Sequence, residues 1–159
     1  MTYIIHESWK DLQTSFEQIL TRASQELCIF DDDLTQLGLR QAGCFGLLQT
    51  FLARNPRAIL RIALRRTGRL HQDHPRLVRL VASQSHRVEV RQIPNTLQHL
   101  RDAFTVADRL HTLARFELTH PRAAFILDDS AESTPYAQRF SEIWAAPCTP
   151  FAPTQMGLY

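Results

Sequence analysis

Residues 103–109 read Ala103-Phe104-Thr105-Val106-Ala107-Asp108-Arg109, a short apolar strand closed by a charged turn. Two further strand candidates, Leu110 to Leu118 and Ala123 to Leu127, follow with no room for a helix between them. Strands joined so tightly pair antiparallel, because a parallel connection needs a crossover of roughly a dozen residues or more. Upstream of residue 103 the order differs. Trp9, Leu12, Phe16, Ile19, Leu20 and Ala23 recur at helical spacing and predict a helix from about Glu7 to Ser24. The apolar run Leu27-Cys28-Ile29-Phe30 then predicts a buried strand ended by Asp31-Asp32-Asp33. A helix over Leu39 to Ala53, stopped by Asn55-Pro56, leads to a strand over Ala58 to Leu64. A helix opening at Pro75 leads to the alternating strand Arg87 to Ile93. The last helix is expected over Pro135 to Ala146, with Thr134 as N-cap, Pro135 in the first turn, and Tyr136, Phe140, Ile143 and Trp144 buried.

Helices and strands that alternate first and strands that succeed one another later predict an α/β sandwich. Its mixed β-sheet, parallel early and antiparallel late, is flanked by helices. With 159 residues and no linker or repeat, the chain is expected to form a single domain over 1–159, with its core at about 7–147 and a proline-rich extended tail over 148–159. A hydrophobic fraction of 44% against 21% charged residues excludes a disordered chain, and no apolar run is long enough to span a membrane. The N-terminus has no secretory pattern, and Cys28, Cys44 and Cys148 form neither a disulfide framework nor a zinc pattern. A cytoplasmic location fits both observations.

The net charge of +2 hides a strong segregation. Residues 1–53 carry three basic and seven acidic side chains, residues 54–91 ten arginines against Asp73 and Glu89, and residues 92–159 five against seven. Lys10 is the sole lysine. Arginine's planar fork suits phosphate and carboxylate, although GC-rich coding gives the same excess with no function. Arg61 sits mid-strand. Arg65 and Arg66 follow at a strand's C-terminal end, where open α/β sheets place ligand crevices. The segment 54–91 has no aromatic residue, which argues against base stacking there. A solvated positive face that meets the acidic N-terminal helix of a partner subunit accounts for the same charges.

Three other patterns bear on chemistry. Asp31-x-Asp33-x-Thr35 after an apolar strand resembles the Asp-x-Asp-x-Thr pattern of haloacid-dehalogenase-like phosphatases, and Asp128-Asp129 after Ala123–Leu127 resembles that family's magnesium-binding strand end. The resemblance implies a magnesium-dependent phosphoester hydrolase. It lacks the family's lysine, since Lys10 lies before the first of these strands, and capping of strand ends explains the same acids. His71 and His74 flank Asp73 at i, i+3, but they fall in a turn before Pro75 and no second ligand cluster supports a metal. Cys28, inside a buried strand without a basic neighbour, reads as packing.

Ala103 to Arg109 also resembles the second half of the phospholipase-D signature His-x-Lys-x-x-x-x-Asp. Asp108 matches by position, while Arg101 stands in the slot of the nucleophilic histidine and Ala103 in that of the phosphate-holding lysine. Over about residues 7–158 the order of segments, from Cys28-Ile29-Phe30-Asp31 through Pro75-Arg76-Leu77 and Arg115-Phe116 to Arg139–Trp144 and Thr154–Leu158, is similar to an uncharacterised proteobacterial family. That family resembles a single degenerate half of the phospholipase-D fold, sometimes fused to an acetyltransferase domain. The resemblance implies a phospholipase-D-like fold with no catalytic residues, no metal and no cofactor. The implied role is binding of an anionic ligand, either nucleic acid or a phosphorylated compound, or of a protein partner. By analogy with single-motif members it also implies a homodimer. The ligand-binding candidates are Arg65, Arg66, Arg101, Asp108 and Arg115. Asp108 is expected to orient Arg101 through a salt bridge or to cap the turn.

Overall fold

A computed structural model describes residues 2–154. Strand β1 (Thr2–His6) precedes helix α1 (Trp9–Arg22), β2 (Glu26–Asp31), α2 (Ala42–Arg54) and β3 (Ile59–Leu64). The short α3 (Leu70–Asp73), α4 (Pro75–Ser83) and β4 (Val88–Gln92) follow, then β5 (Ala103–Ala107), β6 (His111–Arg115), β7 (Ala123–Leu127), α5 (Ser130–Ala145) and β8 (Thr149–Pro150). The eight strands form one sheet in the order β1-β7-β6-β5-β2-β3-β4-β8. Strands β2, β3 and β4 are parallel, with helical crossovers, and β5, β6 and β7 form an antiparallel meander. The mixed α/β sheet expected from the sequence is thus present, the parallel part early and the antiparallel part late.

Strand alternation divides the core. Leu27 and Ile29 of β2, with Leu60 and Ile62 of β3, face α1, α2 and α4, while Cys28 and Phe30 face Phe140 and Ile143 of α5. Burial pushes the Cys28 and Cys44 thiols up, Cys44 to about 12, so both behave as packing residues.

Several elements depart from expectation, among them α3, which occupies residues expected in a turn before Pro75. Strand β1 was not foreseen: its five residues pair with β7 at the sheet edge, with Ile4 and Ile5 still exposed, so no buried run marks it. Helix α5 begins at Ser130 rather than Pro135. Asp129 caps it by accepting from the Glu132 N–H at 3.0 Å, and Glu132 completes an Asp-x-x-Glu start signal. Pro135 therefore lies inside the helix, where it forgoes one backbone rung. Phe140 and Ile143 are buried as expected, but Tyr136 and Trp144 are only half-buried. The tail adds β8 to the edge of β4, and its residues 155–159 lie outside the described ones. No helix among the described residues is long and apolar enough to cross a membrane.

Turns between the strands are tied by side chains. His111 is buried and its Nδ1 accepts the Asp128 N–H at 3.0 Å, which requires the neutral ring. Burial lowers its pKa from the ordinary 6.5, against an opposing pull from Asp128. The unfolded chain therefore takes up the proton first as pH falls, and stability from His111 is full above about 6.5 and lost as pH drops through the lower folded value. Urea melts of the wild type between pH 7.5 and 5.5 are expected to show this loss, and His111→Asn is expected to shrink it; equal pH slopes in the two proteins would refute it.

Candidate functional site: an arginine-lined cavity

A cavity of about 590 Å³ opens at the C-terminal ends of β2 and β3, where the parallel strands hand over to their loops. It is lined by Arg65 and Arg66 from the loop after β3, Arg101 from the segment before β5, and Arg115 from the end of β6. Trp9, at the start of α1, and the Asp32–Asp33 loop complete its walls. Antiparallel pairing explains the convergence. β2 and β3 end where β5 begins and where β6 ends, so residues scattered over 50 positions share one rim.

Arg115 lies deepest. It is 3% exposed, and its Nη2 donates to Oδ1 of Asp31, itself 2% exposed, at 2.8 Å. Arg115 opposes Ala103 in the β5–β6 register. The β2–β5 register, extended one step, brings Asp31 to the other side of Ala103. The methyl group of Ala103 leaves the space across which guanidinium and carboxylate meet. Asp31 also accepts the Leu34 N–H at 2.9 Å, with Leu34 buried at a φ of 74°. Burial raises the Asp31 carboxyl pKa, against the downward pull of Arg115 and the neighbouring backbone N–H groups. The Arg115 guanidinium lies 5.5 Å from the centroid of the Trp9 ring, and its Nε and Nη1 are buried without a protein partner.

The rim arginines are paired more openly. Arg66 donates to Asp32 at 2.6 and 3.1 Å and to Asp33 at 3.1 Å, and Arg101 to Glu117 at 2.6 Å. Both guanidiniums are more than half exposed. The bond from Arg101 holds the Glu117 carboxyl below its usual range. Arg65 is turned inward and donates to the carbonyls of Gln98 and Leu100, fixing the loop before β5. Arg139 of α5 grips Asp102 through both nitrogens and so positions the residue next to Arg101.

Asp108 is placed elsewhere. It sits at the opposite end of β5 and forms no salt bridge with Arg101; its carboxylate instead ties the connection between α1 and β2. Its carboxylate accepts from the backbone N–H groups of Ser24, Gln25 and Glu26 at 2.8–2.9 Å and from the Ser24 hydroxyl at 3.2 Å. Of the five candidates, Arg65, Arg66, Arg101 and Arg115 line one cavity and Asp108 does not. The phosphatase arrangement is not assembled either. Asp31 is engaged by Arg115, Asp33 accepts from the backbone and hydroxyl of Thr35, and Asp128 lies at the far end of the sheet beside Arg22 and His111. Among the described residues no group of three histidine, cysteine or acidic side chains could hold a metal.

The arginine-rich segment 54–91 is largely dispersed into structural contacts. Arg54 donates to the Thr21 and Ala23 carbonyls at the end of α1, Arg87 to those of Asn55 and Ala58, and Arg91 stacks on Trp144 at 4.0 Å. Only Arg65 and Arg66 of that segment reach the cavity. Trp9 was missed as a site residue because its helical spacing reads as core. Trp9 brings an aromatic ring to the cavity from a different part of the chain.

Comparison of folds places the chain among phospholipase-D-like structures. Nuc from Salmonella typhimurium, a phospholipase D family member, superposes with a TM-score of 0.64 at 10% identity, over 94% of this chain and 97% of that one. NucT from Helicobacter pylori gives 0.64 at 9% identity, over 94% and 99%. TrmBL2, an archaeal chromatin protein with a novel mode of DNA binding, gives 0.67 at 15% identity over 95% of this chain; the match spans 54% of TrmBL2. A search of curated proteins finds no sequence match. The family described as "Domain of unknown function (DUF7931)" matches residues 8–151, and the chain belongs to that family.

Proposed function

We propose that this domain is a non-catalytic phospholipase-D-like module that binds nucleic acid through phosphate contacts in the arginine-lined cavity. The observation that carries the reading is the convergence of Arg66, Arg101 and Arg115, from three separate segments, at the carboxyl ends of the parallel strands. Open α/β sheets take ligands at that end. Arg101 in the nucleophile slot and Ala103 in the lysine slot favour binding over cleavage: a guanidinium holds phosphate oxygens but does not form a phospho-enzyme. The DNA binding of TrmBL2 adds support from a neighbour of similar fold. The rim ion pairs are compatible with the role. Exposed pairs are worth about 0–1 kcal/mol, so a phosphate competes with Asp32 or Glu117 at small cost.

Fluorescent single- and double-stranded oligonucleotides titrated across a salt series test this reading. Binding is expected to weaken steeply with salt, and Arg66→Ala and Arg101→Ala are each expected to flatten the log–log slope by about 1. Glu117→Gln removes the acid that competes for Arg101 and is expected to tighten binding several-fold at low salt. Absence of binding at low salt would overturn the reading. By analogy with single-motif phospholipase-D relatives, the active form is proposed to be a homodimer; a clean monomer by light scattering at micromolar concentration would overturn that part.

A further inference from the structure

The cavity floor holds donors that contacts to an internal phosphate do not exhaust. Arg115 is 3% exposed, and only its Nη2 is spent on Asp31. Nε and Nη1 together carry three N–H donors and have no partner in the protein. Buried donors left unpaired are costly, and a guanidinium at the floor of a polar cavity is completed most directly by an anion that enters that cavity. Above it, Trp9 lies with its ring 5.5 Å from the guanidinium, and Arg66 and Arg101 stand at the rim.

We infer that Arg115 anchors a terminal phosphate, the phosphomonoester at a nucleic-acid end or on a free nucleotide, with Trp9 as the surface against which the adjoining base stacks. The inference rests on the nucleic-acid reading and deepens it. An internal phosphodiester has a sugar on both sides and must enter and leave the cavity. An arginine this deeply buried is reached by a group that ends there. A phosphomonoester also presents three terminal oxygens and a second negative charge, matching the three free donors better than the two non-bridging oxygens of a diester. The cavity volume of about 590 Å³ accommodates a nucleotide at the chain end, and an aromatic ring accepts any base by its face.

The test compares one short oligonucleotide with a 5′-phosphate, a 3′-phosphate or hydroxyls at both ends. A nucleoside monophosphate is the free-nucleotide arm, followed by Trp9 emission in a Trp144→Phe background. A terminal phosphate is expected to tighten binding at least about tenfold, and the monophosphate to change Trp9 emission and compete with the phosphorylated strand. Arg115→Lys, which keeps a cation for Asp31 but lacks the planar donor set, is expected to erase the preference, so that the three strands bind alike. Asp31→Leu/Arg115→Met, which removes both buried charges together, is a second variant for the same comparison, with its fold checked by thermal melting. Equal affinity for all three ends would overturn the inference and leave the nucleic-acid reading standing. A strand bound in none of its forms, with no response to the monophosphate, would remove both.

Discussion

Arg115→Met is expected to destabilise the protein by about 3–5 kcal/mol, because it leaves the Asp31 carboxylate buried without its cation. For a domain of this size that lowers Tm by on the order of 10 °C. The pair sits in the layer between the sheet and α1, with both side chains almost wholly enclosed. Asp31→Leu is expected to cost a similar amount by orphaning the guanidinium. The double variant Asp31→Leu/Arg115→Met should lose much less than the sum, since apolar replacements of a buried pair are often neutral or stabilising. Thermal melts of the four proteins form a double-mutant cycle. Strict additivity would show that the two charges do not depend on each other.

The second large effect is expected at Asp108, and at a site remote from the cavity. Asp108→Ala strips acceptors from three backbone N–H groups and a hydroxyl where the β5–β6 turn meets the start of β2. A loss of about 2–4 kcal/mol is expected, since hydrogen bonds to a charged group are worth roughly 1.5–3 kcal/mol and not all of the freed donors will find water. Asp108 itself has a φ of 55°, a left-handed conformation that Asn and Asp tolerate better than other side chains. Asp108→Asn therefore keeps the backbone geometry and one carbonyl acceptor, and is expected to lose about half as much. Urea melts measure the loss, while affinity for oligonucleotides, measured well below the melting point, should be unchanged. A variant that binds weakly yet melts normally would put Asp108 back among the ligand contacts.

These two residues show how the sequence and the tertiary structure divide the information. Asp108 and Arg101 lie seven positions apart on one strand and its flanks, so a motif read along the chain joins them. The strand separates them instead, since five residues of extended chain carry them to opposite ends of the sheet's strands. Arg115 and Asp31 are 84 positions apart and have no motif in common, yet the register through Ala103 brings them to 2.8 Å.

Local patterns determined most of the architecture. Short apolar runs, with clean alternation in β4, located the six central strands; helical periodicity located α1, α2 and α4, and the change from alternating to successive elements set the mixed sheet. Strand β1 escaped because an edge strand buries too little to leave a signature. The start of α5 escaped because Pro135 is a strong start signal that competes with the capping pair Asp129 and Glu132. The sequence by itself could also name the arginines, since their clustering is a matter of composition. It could not say which are structural, because that depends on which carbonyls and rings each meets. Arg54, Arg87 and Arg91 are consumed by helix ends, a loop and Trp144, while Arg66, Arg101 and Arg115 are gathered by strand direction and register. Periodicity is written in neighbouring residues and survives in the sequence. A cavity is made by residues that meet only when the sheet closes its register, and tertiary structure alone decides it.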